Sequence, residues 1–412
     1  MTRARIFCLS LLLSCGAADR TKHDDRAAAP IDPPAPAPTP APVATTPDAP
    51  PPPPGEPAPS DPGIPEVRYV GRFDIRDPAG PRCGWPGCRI VARFDGTAVS
   101  ARLDEAAGPD GPSEWDVAID GAWRPKIALQ PGAHDYVLAE GLSPGPHTVE
   151  LYKRTESQTG VTAFLGFDLR GGKLLAPPPR ASRRIEIVGD SDVSGYGYAG
   201  AIAGGDCGGQ AWLARYQDFH SAWGARLADT LGAELVGTVF SGKGFVFNAW
   251  RPDHDTIDVL YPRANPEDPT STFALGSLVP DVVIVAIGGN DYNLGLPTDD
   301  GPAPLDAFTA KARAFTAMLR ASYPGAWVLL MVYASLSDDD PPGRMRRTNV
   351  TTAYQTVAGE RHAAGDAKVG VVVPQPYTPD ELDACSGHGG PAYHARIAAF
   401  LAGELRARLG WK

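Results

Sequence analysis

The sequence predicts two folded domains in series. An all-β, jelly-roll-like sandwich is expected over residues 67–175, and an α/β domain with a five-stranded parallel sheet, helices on both faces, over residues 176–412. Three observations predict it. Short runs with period-two alternation and turn residues between them fill the first region. After Arg184 apolar runs of strand length alternate with helical patterns five times over, the signature of a parallel sheet. A Pro/Ala-rich stretch separates both from the N-terminus.

Residues 1–15 read as an export signal. Arg3 and Arg5 precede a short apolar stretch from Ile6 to Leu13, the length of a signal-peptide core and too short to span a bilayer. It ends in Leu12-Leu13-Ser14-Cys15-Gly16, which looks like a bacterial lipobox with Cys15 as the lipidated residue. Leu13 is a less usual residue there, which leaves the ordinary signal peptidase as the alternative. Residues 16–66, richest in Pro and Ala from Ala27 to Pro65, cannot build a core. Proline favours an extended stalk, roughly 3.1 Å per residue.

The β-domain strands are expected at Arg68–Ile75, Arg89–Asp95, Val99–Leu103, Trp115–Ile119, Asp135–Leu138, His147–Tyr152 and Thr162–Phe167, with Asp95-Gly96 and Asp120-Gly121 as hairpin turns. Leu174–Arg183 reads as a strap to the second domain. There, Ile185–Val188, Glu234–Phe240, Val282–Ile287, Trp327–Tyr333 and Val369–Val373 are strands. Ala214–Leu231, Leu305–Ser322, Asn349–His362 and Pro391–Leu409 are helices.

Composition excludes some partners. The chain of 412 residues carries a formal charge of −10 without a Lys/Arg cluster, so nucleic acid is not expected. A membrane is expected only through the lipid anchor, and nothing demands more than a monomer. Beyond Cys8 and Cys15 four cysteines remain. Cys83 and Cys88 bracket the turn Gly84-Trp85-Pro86-Gly87, and Cys207 and Cys385 then pair by default. A metal site is the competing reading, but no His lies at ligand spacing beside them. No metal is expected.

In parallel sheets the ligand crevice lies at the carboxyl ends of the strands. Gly189-Asp190-Ser191 follows the first strand, Ser241-Gly242-Lys243-Gly244 the second and Gly288-Gly289-Asn290-Asp291 the third, with Ser386-Gly387-His388 before the last helix. A serine needs a base before it is a nucleophile, and histidine titrates near neutrality. The tetrahedral intermediate of acyl transfer needs donors. The Ser191 and Gly242 backbone N–H groups and the Asn290 amide would supply three. Asp190 and Asp291 read as braces for their loops, with Asp291 also placed at the substrate cleft beside Trp250. His394 and His220 read as packing or structural histidines, and the Asp338-Asp339-Asp340 run as a solvated loop.

These four blocks, in this order, resemble those of the SGNH (GDSL) hydrolases. More narrowly, the chain resembles carbohydrate esterase family 2, in which a β-jelly-roll precedes the SGNH domain. The phrases that carry it are Arg72-Phe73-Asp74, Gly145-Pro146-His147-Thr148-Val149-Glu150-Leu151, Phe164-Leu165-Gly166-Phe167-Asp168, Leu175-Ala176-Pro177-Pro178 and the pair His388 and His394. The resemblance covers about residues 68 to 410. It implies a serine esterase that removes O-acetyl groups from polysaccharides such as xylan or glucomannan, without a cofactor.

Departures from the pattern set further expectations. Asp192 follows the nucleophile where an apolar residue is usual, and Cys385 occupies the place of the SGNH acid. Ser386 and Gly389 replace an acid and a proline. His388 is then oriented by a backbone carbonyl, a Ser–His dyad, with Asp383, Ser386 and Glu381 as other orienters. Phe273 and Leu275 stand where an aromatic platform of Trp is expected. Two rival functions follow: an SGNH esterase or lipase on a non-plant acyl substrate, and a catalytically decayed carbohydrate-binding lipoprotein.

Overall fold

A computed structural model describes residues 67–202 and 207–412. The expected export signal, its Cys15 and the Pro/Ala-rich linker lie outside the described residues.

The first region is a sandwich of two antiparallel sheets. Its strands are β1 (Val67–Val70), β2 (Arg82–Cys83), β3 (Arg89–Asp95), β4 (Val99–Ala107), β5 (Glu114–Ile119), β6 (Ala122–Ala128), β7 (Gly132–Ala139), β8 (Pro146–Lys153), β9 (Gly160–Asp168) and β10 (Lys173–Leu175). One sheet runs β1-β3-β8-β5-β6 with β10 also on β3, the other β2-β9-β4-β7. Alternate residues fill the space between them: Ile90, Ala92 and Phe94, Val149 and Leu151, Val99, Ala101 and Leu103 are all buried. Asp120-Gly121 turns β5 into β6 as expected, both residues at positive φ of 53° and 76°. Asp95-Gly96 does not close a hairpin. It carries the chain from one sheet to the other, because β3 and β4 lie in different sheets. Strand β6 escapes sequence reading because it is an almost wholly exposed edge that includes Pro125.

The outward face of this sandwich is also buried where the second domain covers it. Strand β5 is buried along its whole length. Tyr152 packs on Phe219, and the buried Lys153 ammonium donates to the carbonyls of Thr155 and Glu156 at 2.8 and 3.2 Å. Arg72 enters the second domain fully buried and meets Glu186 at 2.6 Å. The Thr238 and Tyr261 hydroxyls donate to the same carboxylate. A buried pair of this kind is tolerable only when its remaining lone pairs are satisfied.

The second region holds β11 (Arg183–Gly189), β12 (Ala233–Val239), β13 (Val282–Ala286), β14 (Trp327–Met331) and β15 (Val369–Val372), all parallel, in the order β12-β11-β13-β14-β15. Every residue of β13 is buried, so both faces are covered. Helix Trp223–Leu231 packs on Pro391–Leu409, and Leu305–Ser322 on Arg346–Ala363. The expected single helix from Ala214 to Leu231 is instead two 3-10 turns, Ala214–Tyr216 and Phe219–Ser221, before helix Trp223–Leu231. Asp218 caps the second turn through Ser221 N–H. Ala222 is extended, and the Trp223 N–H donates across to His394 Nδ1 at 3.0 Å. Chain order reverses at β11, so the loops after β11, β12 and β13 converge on one crevice.

Candidate active site

A cavity of about 710 Å³ opens at this switch point, and Ser191, Gly242, Asn290 and His388 all line it. Ser191 begins a four-residue helix, Ser191–Ser194, whose N-cap is Asp190: the Asp190 carboxylate accepts the Asp192 N–H at 3.1 Å. The other oxygen of Asp190 accepts from the Asn290 amide at 2.9 Å, and the same amide nitrogen donates to the Lys243 carbonyl at 2.9 Å. Asn290 therefore ties the three strand-end loops together, and both its hydrogens are engaged. By contrast, the Ser191 and Gly242 N–H groups meet no acceptor among the described residues. Gly242 sits at φ +82°, which only glycine adopts without strain.

Asp291 is not at the cleft. It is fully buried beneath it and accepts the N–H groups of Phe245, Val246 and Phe247 at 3.0, 2.6 and 3.0 Å. Burial pushes its carboxyl up to about 6 against the pull of these donors. Trp250 is exposed and outside the cavity lining, its backbone paired with Leu296. The tryptophan that does line the cavity is Trp212, 43% exposed. Phe273 lies away from the cavity, its ring 4.9 Å from the Arg72 guanidinium.

His388 is half-buried, its ring 4.8 Å from that of Tyr196. Nδ1 lies 3.2 Å from the Cys385 carbonyl. A carbonyl only accepts, so Nδ1 carries the proton and Nε2 keeps its lone pair. Burial lowers the imidazole pKa below 6.5, opposed by the carbonyls of Cys385 and Ser386. Neither carboxylate expected as an alternative orienter reaches it. Asp383 is exposed and its carboxylate lies against Gly390, where a Cβ would overlap it. Glu381 pairs with Arg396 at 2.5 Å and accepts the Thr378 N–H. The Ser386 side chain is exposed, and this residue reaches the imidazole through its backbone alone.

The Asp192 carboxylate is not hydrogen-bonded to Ser191. It is buried, accepting from the Ser335 hydroxyl at 2.6 Å and the Tyr393 hydroxyl at 2.8 Å. Sequence reasoning missed two other cavity residues. Arg346 brings a guanidinium whose buried Nε has no hydrogen-bond partner among the described residues. Glu156, from the loop after β8, is 1% exposed and accepts from the Ser241 N–H at 2.6 Å and the Ser241 hydroxyl at 2.5 Å. Desolvation pushes its carboxyl up to about 7, against the Ser241 donors and the Lys153 charge. No local pattern marks Glu156. The one hint is a run of polar residues, Arg154 to Ser157, where a strand end meets no turn signal.

Comparison with known proteins fits this geometry. The family model for GDSL-like lipases and acylhydrolases matches residues 187–406, more than half the chain. The chain belongs to that family. In this GDSL hydrolase residues 69–179 further match the N-terminal domain of carbohydrate esterase 2. A cellulase/esterase of Acetivibrio thermocellus is 28% identical over 85% of the chain, which spans 40% of that relative's length. An acetylxylan esterase/glucomannan deacetylase of Cellvibrio japonicus is 25% identical over 84% of the chain and 90% of its own length. The solved family two carbohydrate esterase of Clostridium thermocellum, in complex with cellohexaose, superposes with a TM-score of 0.75 at 27% identity. That match covers 84% of this chain and all of the other. The GDSL hydrolase thus joins a GDSL-like lipase/acylhydrolase region to an N-terminal region that matches the carbohydrate esterase 2 N-terminal domain. The structure pairs Cys83 with Cys88 and Cys207 with Cys385.

Proposed function

We propose that this protein is an exported carbohydrate acetylesterase working by a Ser191–His388 dyad on O-acetylated polysaccharides of the xylan or glucomannan type. The observation that carries the reading is the His388 Nδ1 contact with the Cys385 carbonyl, in one cavity with Ser191 and two uncommitted backbone N–H groups. His388 Nε2 takes the Ser191 hydroxyl proton as Oγ attacks the acetyl carbon. The resulting oxyanion is met by the Ser191 and Gly242 N–H groups, and Asn290 shares one of its engaged hydrogens. The bond to the sugar oxygen breaks, and that oxygen leaves with the proton from His388. Water, deprotonated by the same nitrogen, then releases acetate from acetyl-Ser191.

Two features support a neutral sugar substrate. Asp110, Glu156 and Asp340 line the cavity, which disfavours polyanions, and Trp212 offers an aromatic face. The similarity to the Cellvibrio japonicus deacetylase supports acetyl as the acyl group transferred to Ser191. Two disulfides fit an oxidising compartment, and the lipobox-like Cys15 supports export with a lipid anchor. The test is release of acetate from acetylated xylan and glucomannan, and of p-nitrophenol from its acetate, by wild type and Ser191→Ala. Full loss in the variant is expected. A Ser191→Ala protein that kept its activity would remove the dyad, and sugar binding without hydrolysis by the wild type would favour a binding protein.

A further inference from the structure

The loop that carries the base is fastened to the loop that carries the nucleophile, and the fastening runs through one residue. Cys385 accepts the His388 Nδ1–H on its carbonyl at 3.2 Å. Its N–H donates to the Gly197 carbonyl at 3.3 Å, and its sulfur bonds to Cys207. Gly197 and Gly200 lie just past Ser191. A Cβ on Gly200 would overlap both sulfurs, and one on Gly197 would stand 2.9 Å from the Cys385 Cβ and carbonyl oxygen. These are the close approaches that glycine alone permits. Cys207 and Cys385 are buried in this seam, with Tyr196 packed against them. The next residue, Ser386, holds φ +59°, a left-handed conformation uncommon outside glycine.

We propose that the Cys207–Cys385 disulfide is a positioning element for the base, doing by cross-linking what an orienting carboxylate does by charge. The proposal rests on the Ser191–His388 reading above. A carboxylate attracts an imidazolium wherever the ring moves within reach, whereas a neutral carbonyl gives a weaker and more directional hydrogen bond. A base held by a carbonyl therefore depends on where that carbonyl is fixed. Here the carbonyl 3.2 Å from Nδ1 belongs to a residue pinned through backbone and sulfur to the segment following the nucleophile. Opening the S–S bond leaves the Cys385 N–H to Gly197 carbonyl bond at 3.3 Å as the backbone tie from Cys385 to the segment after Ser191, with the Ala384–His388 and His388–Cys385 backbone bonds at 3.1 and 3.4 Å and a left-handed serine shaping the base loop itself.

The test uses the protein with Cys83 and Cys88 both replaced by alanine, so that dithiothreitol, itself oxidised to its cyclic disulfide, reduces Cys207–Cys385 alone. Thiols are counted before and after, and folding is followed by circular dichroism at the assay temperature. Cys207→Ala in the otherwise natural chain is measured beside it and leaves the Cys385 backbone intact. On p-nitrophenyl acetate, kcat is expected to fall about 10- to 100-fold, less than the ~10⁴ lost with the acid of a Ser-His-Asp triad. KM should stay within about twofold, and reoxidation should restore kcat. The His388 Nδ1–H resonance in ¹⁵N-edited spectra should broaden or vanish on reduction, which a merely stabilising disulfide would not cause in a folded protein. Folded, fully reduced protein with unchanged kcat and an unchanged Nδ1–H signal would overturn the proposal. Failure of the parent reading shows separately, as activity in Ser191→Ala.

Discussion

Glu156→Ala isolates the contribution of the β-sandwich to catalysis. This carboxylate leaves the sandwich after β8 and accepts both donors of Ser241, the N–H at 2.6 Å and the hydroxyl at 2.5 Å. The Ser241 hydroxyl lies 3.1 Å from that of Ser194, on the helix begun by the nucleophile. The residue after Ser241 is Gly242, whose N–H is an uncommitted donor at the cavity. Hydrogen bonds to a charged group contribute roughly 1.5–3 kcal/mol each, so losing two frees the turn. Loss of one oxyanion donor costs about 10²–10³ in kcat. The expected fall for Glu156→Ala is about 10²-fold, or about 2.7 kcal/mol of transition-state stabilisation. KM should change by less than about twofold, because the donor acts on charge that develops only in the transition state. Initial rates on p-nitrophenyl acetate and an acetylated xylo-oligosaccharide give both constants. A variant within twofold of wild type in kcat would refute the argument.

The same site gives a pH signature. Burial pushes the Glu156 carboxyl up to about 7, so it ionises between acidic and mildly basic pH. Glu156→Gln imitates the protonated form, leaving one acceptor oxygen. The ratio of wild-type to Glu156→Gln kcat should therefore rise with pH through about 7 and approach one at pH 5.5, and a ratio constant across that range would contradict it.

Other outcomes follow from the base and the cavity wall. Because burial lowers the His388 pKa below 6.5, the base stays neutral at physiological pH. The acid limb of kcat/KM for Glu156→Gln should be centred below pH 6.5, activity falling as pH drops through it; a limb above 6.5 would contradict the burial argument. Trp212→Ala should raise KM for acetylated oligosaccharides about tenfold, corresponding to ~1.4 kcal/mol of lost stacking, and leave p-nitrophenyl acetate kinetics unchanged. An equal rise for both substrates would assign Trp212 to packing instead.

Much of the fold is legible because its signals are local. Helices Leu305–Ser322 and Pro391–Leu409 begin and end where periodicity and Pro391 place them. The apolar runs of β13 and β14 leave no other use for them in a buried parallel sheet. The blocks at Ser191, Gly242, Asn290 and His388 are legible for the same reason, each being a short segment at a strand or helix end. What fails depends on distant partners. The Ala214–Leu231 pattern breaks because His394, 171 residues away, accepts the Trp223 N–H. Asp95-Gly96 looks like a hairpin because the sequence cannot say that β3 pairs with β1, β8 and β10 rather than β4. Glu156 meets Ser241 across 85 residues and a domain boundary. Trp212 and Trp250 are alike in sequence, and only the packed loops put one in the cavity wall.

The buried carboxylates explain why a base without an acid partner is coherent here. Asp190 holds the Asn290 amide and the Asp192 N–H, Asp291 holds three backbone N–H groups behind the second loop, and Glu156 holds Ser241. All three brace the loops of Ser191, Gly242 and Asn290, the proposed oxyanion side, and none is hydrogen-bonded to His388 among the described residues. A fourth acid beside the imidazole would add negative charge close to a developing oxyanion, in a cavity that Asp110 and Asp340 already line. A carbonyl orients the ring with a partial charge only. The cost is weaker retention of the imidazole, and the seam of Gly197, Gly200, Cys207 and Cys385 offsets it mechanically. Introducing an acid by Ser386→Asp separates the two accounts. If retention limits the rate, kcat rises and the reduced protein is rescued; if the oxyanion's electrostatics limit it, kcat falls even with the disulfide intact.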